Sequence, residues 1–161
     1  MRILIVSDSH GRDEYLLAAS EEERPFDTLI HLGDFQTDEQ TVEEMAGVQV
    51  FMVAGNCDYH TRLSDVRIIE LAGHRIFMAH GHNHGVRWGE TRRLARAAAK
   101  NGCDIAMFGH IHCPVEDHTD PDVLIINPGS IALPRQSGRA HTYMVMDLFP
   151  GMKPRIELKK L

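Results

Sequence analysis

Ile3-Leu4-Ile5-Val6-Ser7-Asp8-Ser9-His10-Gly11 is the stretch whose reading decides the fold. Four consecutive aliphatic residues predict a strand covered on both faces, and Asp8-x-His10 follows directly where that strand must stop. Residues i and i+2 of a strand point to the same side. A carboxylate and an imidazole at that spacing therefore converge on one metal ion if extended geometry persists to His10. Asp-x-His alone is a weak signal. It gains weight because an apolar run ending in a metal-ligand residue type recurs along the chain.

The 161 residues predict one domain, residues 1–161, large enough to bury a core without disulfides or other staples. Apolar residues make up 43% and charged residues 25%, the balance of a globular rather than a disordered chain. A formal charge of -6 argues against a surface built to wrap duplex DNA or an anionic membrane. Cys57, Cys103 and Cys113 are odd in number and form no C-x-x-C pair, which points to a reducing compartment. No basic leader precedes the first strand and no apolar run approaches a membrane span, so the expected location is cytoplasmic. Of eleven histidines, six lie between residues 74 and 112.

Working outward, residues 12–23 predict a helix ending near Arg24-Pro25, and 28–32 a second strand that runs into Gly33-Asp34. Thr37-Asp38-Glu39-Gln40 reads as a capping box, with Gly47 closing that helix. A third strand, 48–53, ends in Ala54-Gly55-Asn56-Cys57-Asp58. Alternating strand and helix argues for a parallel sheet of βαβ units. Strands at 66–71 and 75–79 have hairpin spacing, and the second empties into His80-Gly81-His82. A helix over 88–100 buries Leu94, Ala95, Ala98 and Ala99 and leaves its arginines in water. Strands over 104–108, 123–126, 141–148 and 153–158 follow. The result is a mixed α/β chain with two stacked sheets between helical layers.

Five predicted strand ends carry the candidate ligands Asp8 and His10, Asp34, Asn56, His80, and His110 with His112. Open α/β sheets bind ligands at the carboxyl ends of their strands, which would gather these residues in one crevice. Two carboxylates, four imidazoles and an amide oxygen, without thiolate, suit Mn, Ni, Fe, Co or Zn better than Ca or Mg. Seven ligands exceed one tetrahedral site but fill two if a carboxylate bridges, and Asp34, alone on its strand end, is the natural bridge.

Asp8-x-His10, Gly33-Asp34, Gly55-Asn56-x-Asp58, His80-Gly81 and Gly109-His110-x-His112 together resemble, in order, the signature of the calcineurin-like metallophosphoesterases. The short length, Gly55-Asn56-Cys57-Asp58, and Asn127-Pro128-Gly129-Ser130 followed by Pro134-Arg135 are most similar to the small YfcE-type phosphodiesterases. The resemblance implies a four-layer αββα sandwich. It implies two divalent transition-metal ions, manganese first among them. Asp8, His10, Asp34 and His112 would hold one ion, and Asp34, Asn56, His80 and His110 the other. The implied activity is hydrolysis of a small phosphodiester by a metal-bridging hydroxide. A phosphomonoesterase or nucleotidase on the same site is the alternative, as is a non-catalytic protein-binding scaffold like the retromer subunit of this fold.

Departures from the wider family bear on chemistry. Its phosphatases usually carry histidine where this chain has Cys57, with the next acidic residue, here Asp58, orienting that imidazole. Cys57 cannot supply an imidazolium to the leaving group, so diesters with good leaving groups should suffer least. His82 is the candidate substitute donor, Arg135 the candidate clamp on a phosphate oxygen, and Cys57 the other candidate substrate-binding residue. His31 and His84 read as packing and surface residues. The pocket walls are expected from residues 59–65, 82–90 and 131–139. No interface motif fixes the oligomeric state, and a homodimer stays open.

Overall fold

The computed structural model describes residues 1–87 and 90–161. β1 (Arg2–Val6), β2 (Thr28–His31) and β3 (Gln49–Met52) are parallel neighbours. β9 (Thr142–Asp147) pairs antiparallel with β1, and β10 (Arg155–Lys160) with β9, giving a first sheet of order β10-β9-β1-β2-β3. The second sheet is β4-β5-β6-β8-β7, from β4 (Val66–Leu71), β5 (His74–Ala79), β6 (Ile105–Met107), β7 (Pro114–Asp117) and β8 (Leu124–Pro128). Here β5, β6 and β8 run parallel, while β4 and β7 are antiparallel edges.

The layers follow from the pleat. Side chains alternate faces along a strand, and β1 is apolar on both. Ile3 and Ile5 join Ile30, Met78, Ile105, Met107, Ile126 and Met144 in a core between the two sheets. Leu4 and Val6 face the other way, against Leu16 and Ala19 of α1 (Asp13–Glu23) and Val42 and Ala46 of α2 (Glu39–Ala46). On the far side, Phe77, Ala106 and Ile125 pack on Leu94, Ala95 and Ala98 of α3 (Arg92–Lys100). Helices, sheet, sheet and helix thus form the αββα sandwich that the resemblance implies.

Local differences have identifiable causes. The N-cap of α2 is Asp38, not Thr37: its carboxylate accepts from the Thr41 amide (2.8 Å) and the Thr41 hydroxyl (2.6 Å). Gly47 closes that helix in the left-handed conformation at φ 64°. The helix expected over 88–100 is described from Arg92, and residues 88 and 89 lie outside the described residues. Arg92, Arg93 and Arg96 are exposed as expected, but so is Ala99. The hairpin turn is the two residues Ala72-Gly73, both left-handed, and His74 already pairs with Leu71. Strand β7 was not expected, because Pro114-Val115-Glu116-Asp117 offers one apolar residue and leads with proline; it is an edge strand. No helix is long and apolar enough to cross a membrane among the described residues.

Ile5 is fully buried between the sheets, whereas Leu17, an apolar residue of α1 that faces away, is 42% exposed. We expect Ile5→Ala to cost about 2–5 kcal/mol in urea unfolding and Leu17→Ala less than about 0.5 kcal/mol.

Candidate metal centre

Every candidate ligand lies just past the carboxyl end of a parallel strand: β1, β2 and β3 of one sheet, and β5 and β6 of the other. The convergence of Asp8 and His10, however, does not come from the pleat. β1 ends at Val6, and both residues adopt positive φ (56° and 49°). The same left-handed i, i+2 pair recurs at Asp34 and Gln36 (55° each) and at His110 and His112 (68° and 57°). Non-glycine residues accept this conformation at a cost of about 1–3 kcal/mol each. Pairing continues past the strands to hold it. The Asp8 amide donates to Gly33 O (3.0 Å), His10 to Asp34 O (2.9 Å) and Gly11 to Phe35 O (2.8 Å).

The two sheets are stitched at the same place. The His110 amide donates to Asp8 Oδ2 (3.1 Å), and the Ser130 hydroxyl donates to Asp8 O (2.8 Å). Gly109 has no room for a side chain, since a Cβ there would overlap Ser7 Oγ and press on Asp8 Oδ2. Asn127 Nδ2 donates to Gly109 O (2.8 Å) and braces that loop.

Three imidazoles are pinned at Nδ1 by an oxygen: His10 by Gln36 Oε1 (2.7 Å), His80 by Leu32 O (2.7 Å) and His112 by Leu133 O (2.6 Å). A carbonyl at Nδ1 keeps the ring proton there and turns the Nε2 lone pair inward. His10 Nε2 and His112 Nε2 then face each other at 3.4 Å, and His112 Nε2 is 3.2 Å from Asp8 Oδ1. His80 Nε2 is buried without a hydrogen-bond partner, as is Asp8 Oδ1. Lone pairs and carboxylates facing one another in a buried space call for a cation, and the donor set fits divalent transition metals. Three groups have ligand atoms mutually within 4.8 Å: Asp8, His10 and His112; His10, Asp34 and Cys57; and Asp8, Asp34 and His80.

The titration behaviour has the same cause. Burial alone would raise Asp8 and Asp34, but His112 and His80 beside Asp8, and His80 beside Asp34, hold both carboxyls below their usual range. Burial pulls His80 down, yet Asp34 and Asp8 leave it above its ordinary value. The pocket attracts positive charge.

Asp58 contacts backbone rather than a ring. Its Oδ2 accepts from the amides of Asp34 and Gly55 (2.7 Å each) and its Oδ1 from Gln36 (2.8 Å), tying the β2 and β3 loops together. Cys57 donates its amide to Asp34 Oδ1 (2.8 Å), and burial, then Asp34 and Asp58, push its thiol up to about 11. Asn56 is exposed, with Nδ2 3.3 Å from Cys57 Sγ. The His110 ring lies 5.2 Å from that of His80, and His82 lies 5.5 Å from His80 and 6.2 Å from His110. Burial lowers both His82 and His110. Arg135 is exposed, its amide donating to His112 O (3.0 Å), and it lines a cavity with Arg87, His110 and Ile111. His84 is half-buried, edge-on to Phe77.

Gln36, Asn127 and Ser130 were not assigned roles by sequence reasoning. Gln36 had a signal, since Asp34-x-Gln36 repeats the spacing of Asp8-x-His10 and His110-x-His112. The side chains of Asn127 and Ser130 donate to backbone carbonyls, those of Gly109 and Asp8; their Asn127-Pro128-Gly129-Ser130 motif was visible in the sequence, but those partners were not.

Residues 1–149 match the Calcineurin-like phosphoesterase superfamily domain. The chain belongs to that superfamily. It is 35% identical over 151 residues to the probable metallophosphoesterase YsnB of Bacillus subtilis, covering 92% of this chain and 85% of that protein. It is 27% identical over 107 residues to the phosphodiesterase YfcE of Escherichia coli, covering 62% and 53%. A predicted phosphoesterase from Streptococcus pneumoniae superposes with a TM-score of 0.79 at 23% identity, over 98% of this chain and 97% of that one. Vps29 of Entamoeba histolytica gives 0.76 at 18%, over 100% and 99%, a likeness of fold. Membership places the chain among the metallophosphoesterases, phosphoric ester hydrolases that use divalent metal ions.

His31, fully buried, bridges the first two loops: Nδ1 accepts from the Gly33 amide (3.2 Å) and Nε2 lies 3.0 Å from Ser9 Oγ. Burial depresses its pKa from 6.5 to about 4. As pH falls below 6.5 the unfolded chain takes up this proton first, so stability is lost between pH 6.5 and about 4. We expect His31→Gln to remove about 2 kcal/mol of the loss between pH 7 and pH 5, read from urea midpoints of metal-free protein.

Proposed function

We propose that this chain is a two-metal phosphodiesterase, hydrolysing small phosphate diesters at a dinuclear centre. The observation that carries this reading is the position of Asp34. Its Oδ2 is 3.8 Å from His10 Nε2 and 3.5 Å from His80 Nε2, so one carboxylate oxygen lies between an imidazole of each sheet. Asp8, His10, Asp34 and His112 would hold one ion, and Asp34, Asn56, His80 and His110 the other. When bound, two divalent ions supply hydroxide near neutral pH and Lewis-acid stabilisation of phosphoryl oxygens.

The chain's own residues orient and shield. Gln36, Leu32 and Leu133 hold the three imidazoles in the ligating tautomer. Asp58 fixes the backbone beneath Asp34, and so acts as a positioning residue. Preference for diesters is supported by Cys57, a neutral thiol where a leaving-group imidazolium would stand, and by the name of the relative YfcE. His82 stays the candidate proton donor. The mixed imidazole and carboxylate donors suit manganese, nickel, iron, cobalt or zinc, and the family resemblance puts manganese first.

Metal analysis, combined with hydrolysis of bis(p-nitrophenyl) phosphate and p-nitrophenyl phosphate, tests the reading. We expect about two ions per chain, as in two-metal sites generally, and a faster diester reaction that EDTA abolishes and Mn²⁺ restores. Absence of metal-dependent turnover of either ester would sink it. Asp34→Asn should lower kcat/KM by more than about 100-fold and reduce the bound metal; full retention of both would refute the bridge. For Cys57→His we expect the monoester rate to rise roughly tenfold or more, and an unchanged profile would exclude a chemical role for this position.

A further inference from the structure

Three arginines outside the metal shell share one groove. Arg12, Arg135 and Arg139 line it with Tyr15, Ala132, Leu133, Pro134 and His141, and no acidic residue among the described residues does. All three are exposed, and none forms an ion pair among the described residues. Among the described residues only Arg2, held by Glu23 and Asp147, and Arg75, held by Glu70, are ion-paired arginines. The cavity beside α3 also gathers three arginines, Arg92, Arg93 and Arg96, but Glu90 lines it with them; the groove of Arg12, Arg135 and Arg139 holds no such carboxylate and so concentrates positive charge on a chain of formal charge -6.

The groove begins where the metal centre ends. Arg12 lies two residues past His10, in a turn closed by its amide to Ser9 O (2.9 Å). On the opposite wall, Leu133 O accepts from His112 Nδ1 and the Arg135 amide donates to His112 O. Arg135 lines both this groove and the cavity that holds His110. The turn carrying Arg139 is held by Gln136, whose O accepts from the Arg139 amide (3.1 Å) and whose Nε2 donates to Ala140 O (2.5 Å). Tyr15 and His141, which also line the groove, stack at 4.3 Å and 20°.

We propose that this groove binds a second phosphate of the substrate, so that the preferred diester carries a dianionic group beyond the scissile phosphorus. The assignment rests on the phosphodiesterase reading. Forked guanidiniums match phosphate oxygens bidentately, and three of them suit a dianion better than a carboxylate. A long nucleic acid would run onto the acidic remainder of the surface, whereas a small bisphosphate compound stays within the groove.

Two pairs of compounds test this. The methyl diester of thymidine 5′-phosphate, with and without a 3′-phosphate, reports binding by calorimetry of the Mn²⁺-loaded full chain. The p-nitrophenyl diesters of the same nucleotides report hydrolysis. We expect the 3′-phosphate to tighten binding at least tenfold. The gap should fall below threefold in Arg12→Ala/Arg139→Ala and persist in Arg96→Ala, which removes the same kind of charge from α3. Thermal melting checks that each variant folds. Equal affinities, no binding of either compound, or a gap that survives the double substitution would overturn the proposal. A clear gap without hydrolysis of any ester would instead refute the phosphodiesterase reading and leave the groove's anion specificity standing. Hydrolysis without a gap would refute the groove alone.

Discussion

Asp8 and Asp34, two buried carboxylates at the ends of adjacent parallel strands, set the terms for everything around them. Charge in a low-dielectric interior has to be matched. The matching groups here are imidazoles delivered by the second sheet, not lysines or arginines. His80 and His112 approach Asp34 and Asp8 at 3.5 and 3.2 Å, each with its outer nitrogen committed to a backbone carbonyl. An arginine would satisfy the carboxylates and end the chemistry. Imidazoles whose outer nitrogens are taken by carbonyls present their other nitrogen beside the carboxylates, where a bound cation would meet the negative charge.

That arrangement explains the geometry of the loops. Polar residues with side chains are held at positive φ at Asp8, His10, Asp34, His110 and His112. Such strain persists only where surrounding bonds over-determine it. The ladder between the first two loops, the three amides on Asp58 and the hydroxyl of Ser130 on Asp8 O supply those bonds. Gly109 contributes differently, by letting one sheet's loop press directly on the other's carboxylate.

The layers, and the convergence of the candidate ligands, were legible in the sequence because the first rests on alternation along a strand and the second on residues that follow predicted strand ends. Ile3-Leu4-Ile5-Val6 announces a strand buried on both faces, and the pleat then assigns Ile3 and Ile5 to one core and Leu4 and Val6 to the other. The mechanism by which Asp8 and His10 converge was not legible, since the i, i+2 rule for strands and a left-handed turn give the same spacing. Asp58 shows a further limit. Its position in the Gly55-Asn56-Cys57-Asp58 loop was evident, but its partners are backbone amides of the β2 and β3 loops, which no residue pattern encodes. Strand β7 and the N-cap at Asp38 were missed for the opposite reason, because weak local signals were decided by pairing and by a single carboxylate contact.

The division of ligands between the sheets has a consequence for the chain as a polymer. Of the candidate ligands, Asp8, His10, Asp34 and Asn56 follow strands of one sheet and His80, His110 and His112 strands of the other, so an ion held by both would act as a cross-link across the inter-sheet core. His10 and His112 are 102 positions apart, and a contact between them closes a loop comparable to that of a long-range disulfide. Ions that bind only the closed arrangement stabilise it by mass action. The same atoms that would prepare a nucleophile would also act as removable rivets between the two halves of the sandwich.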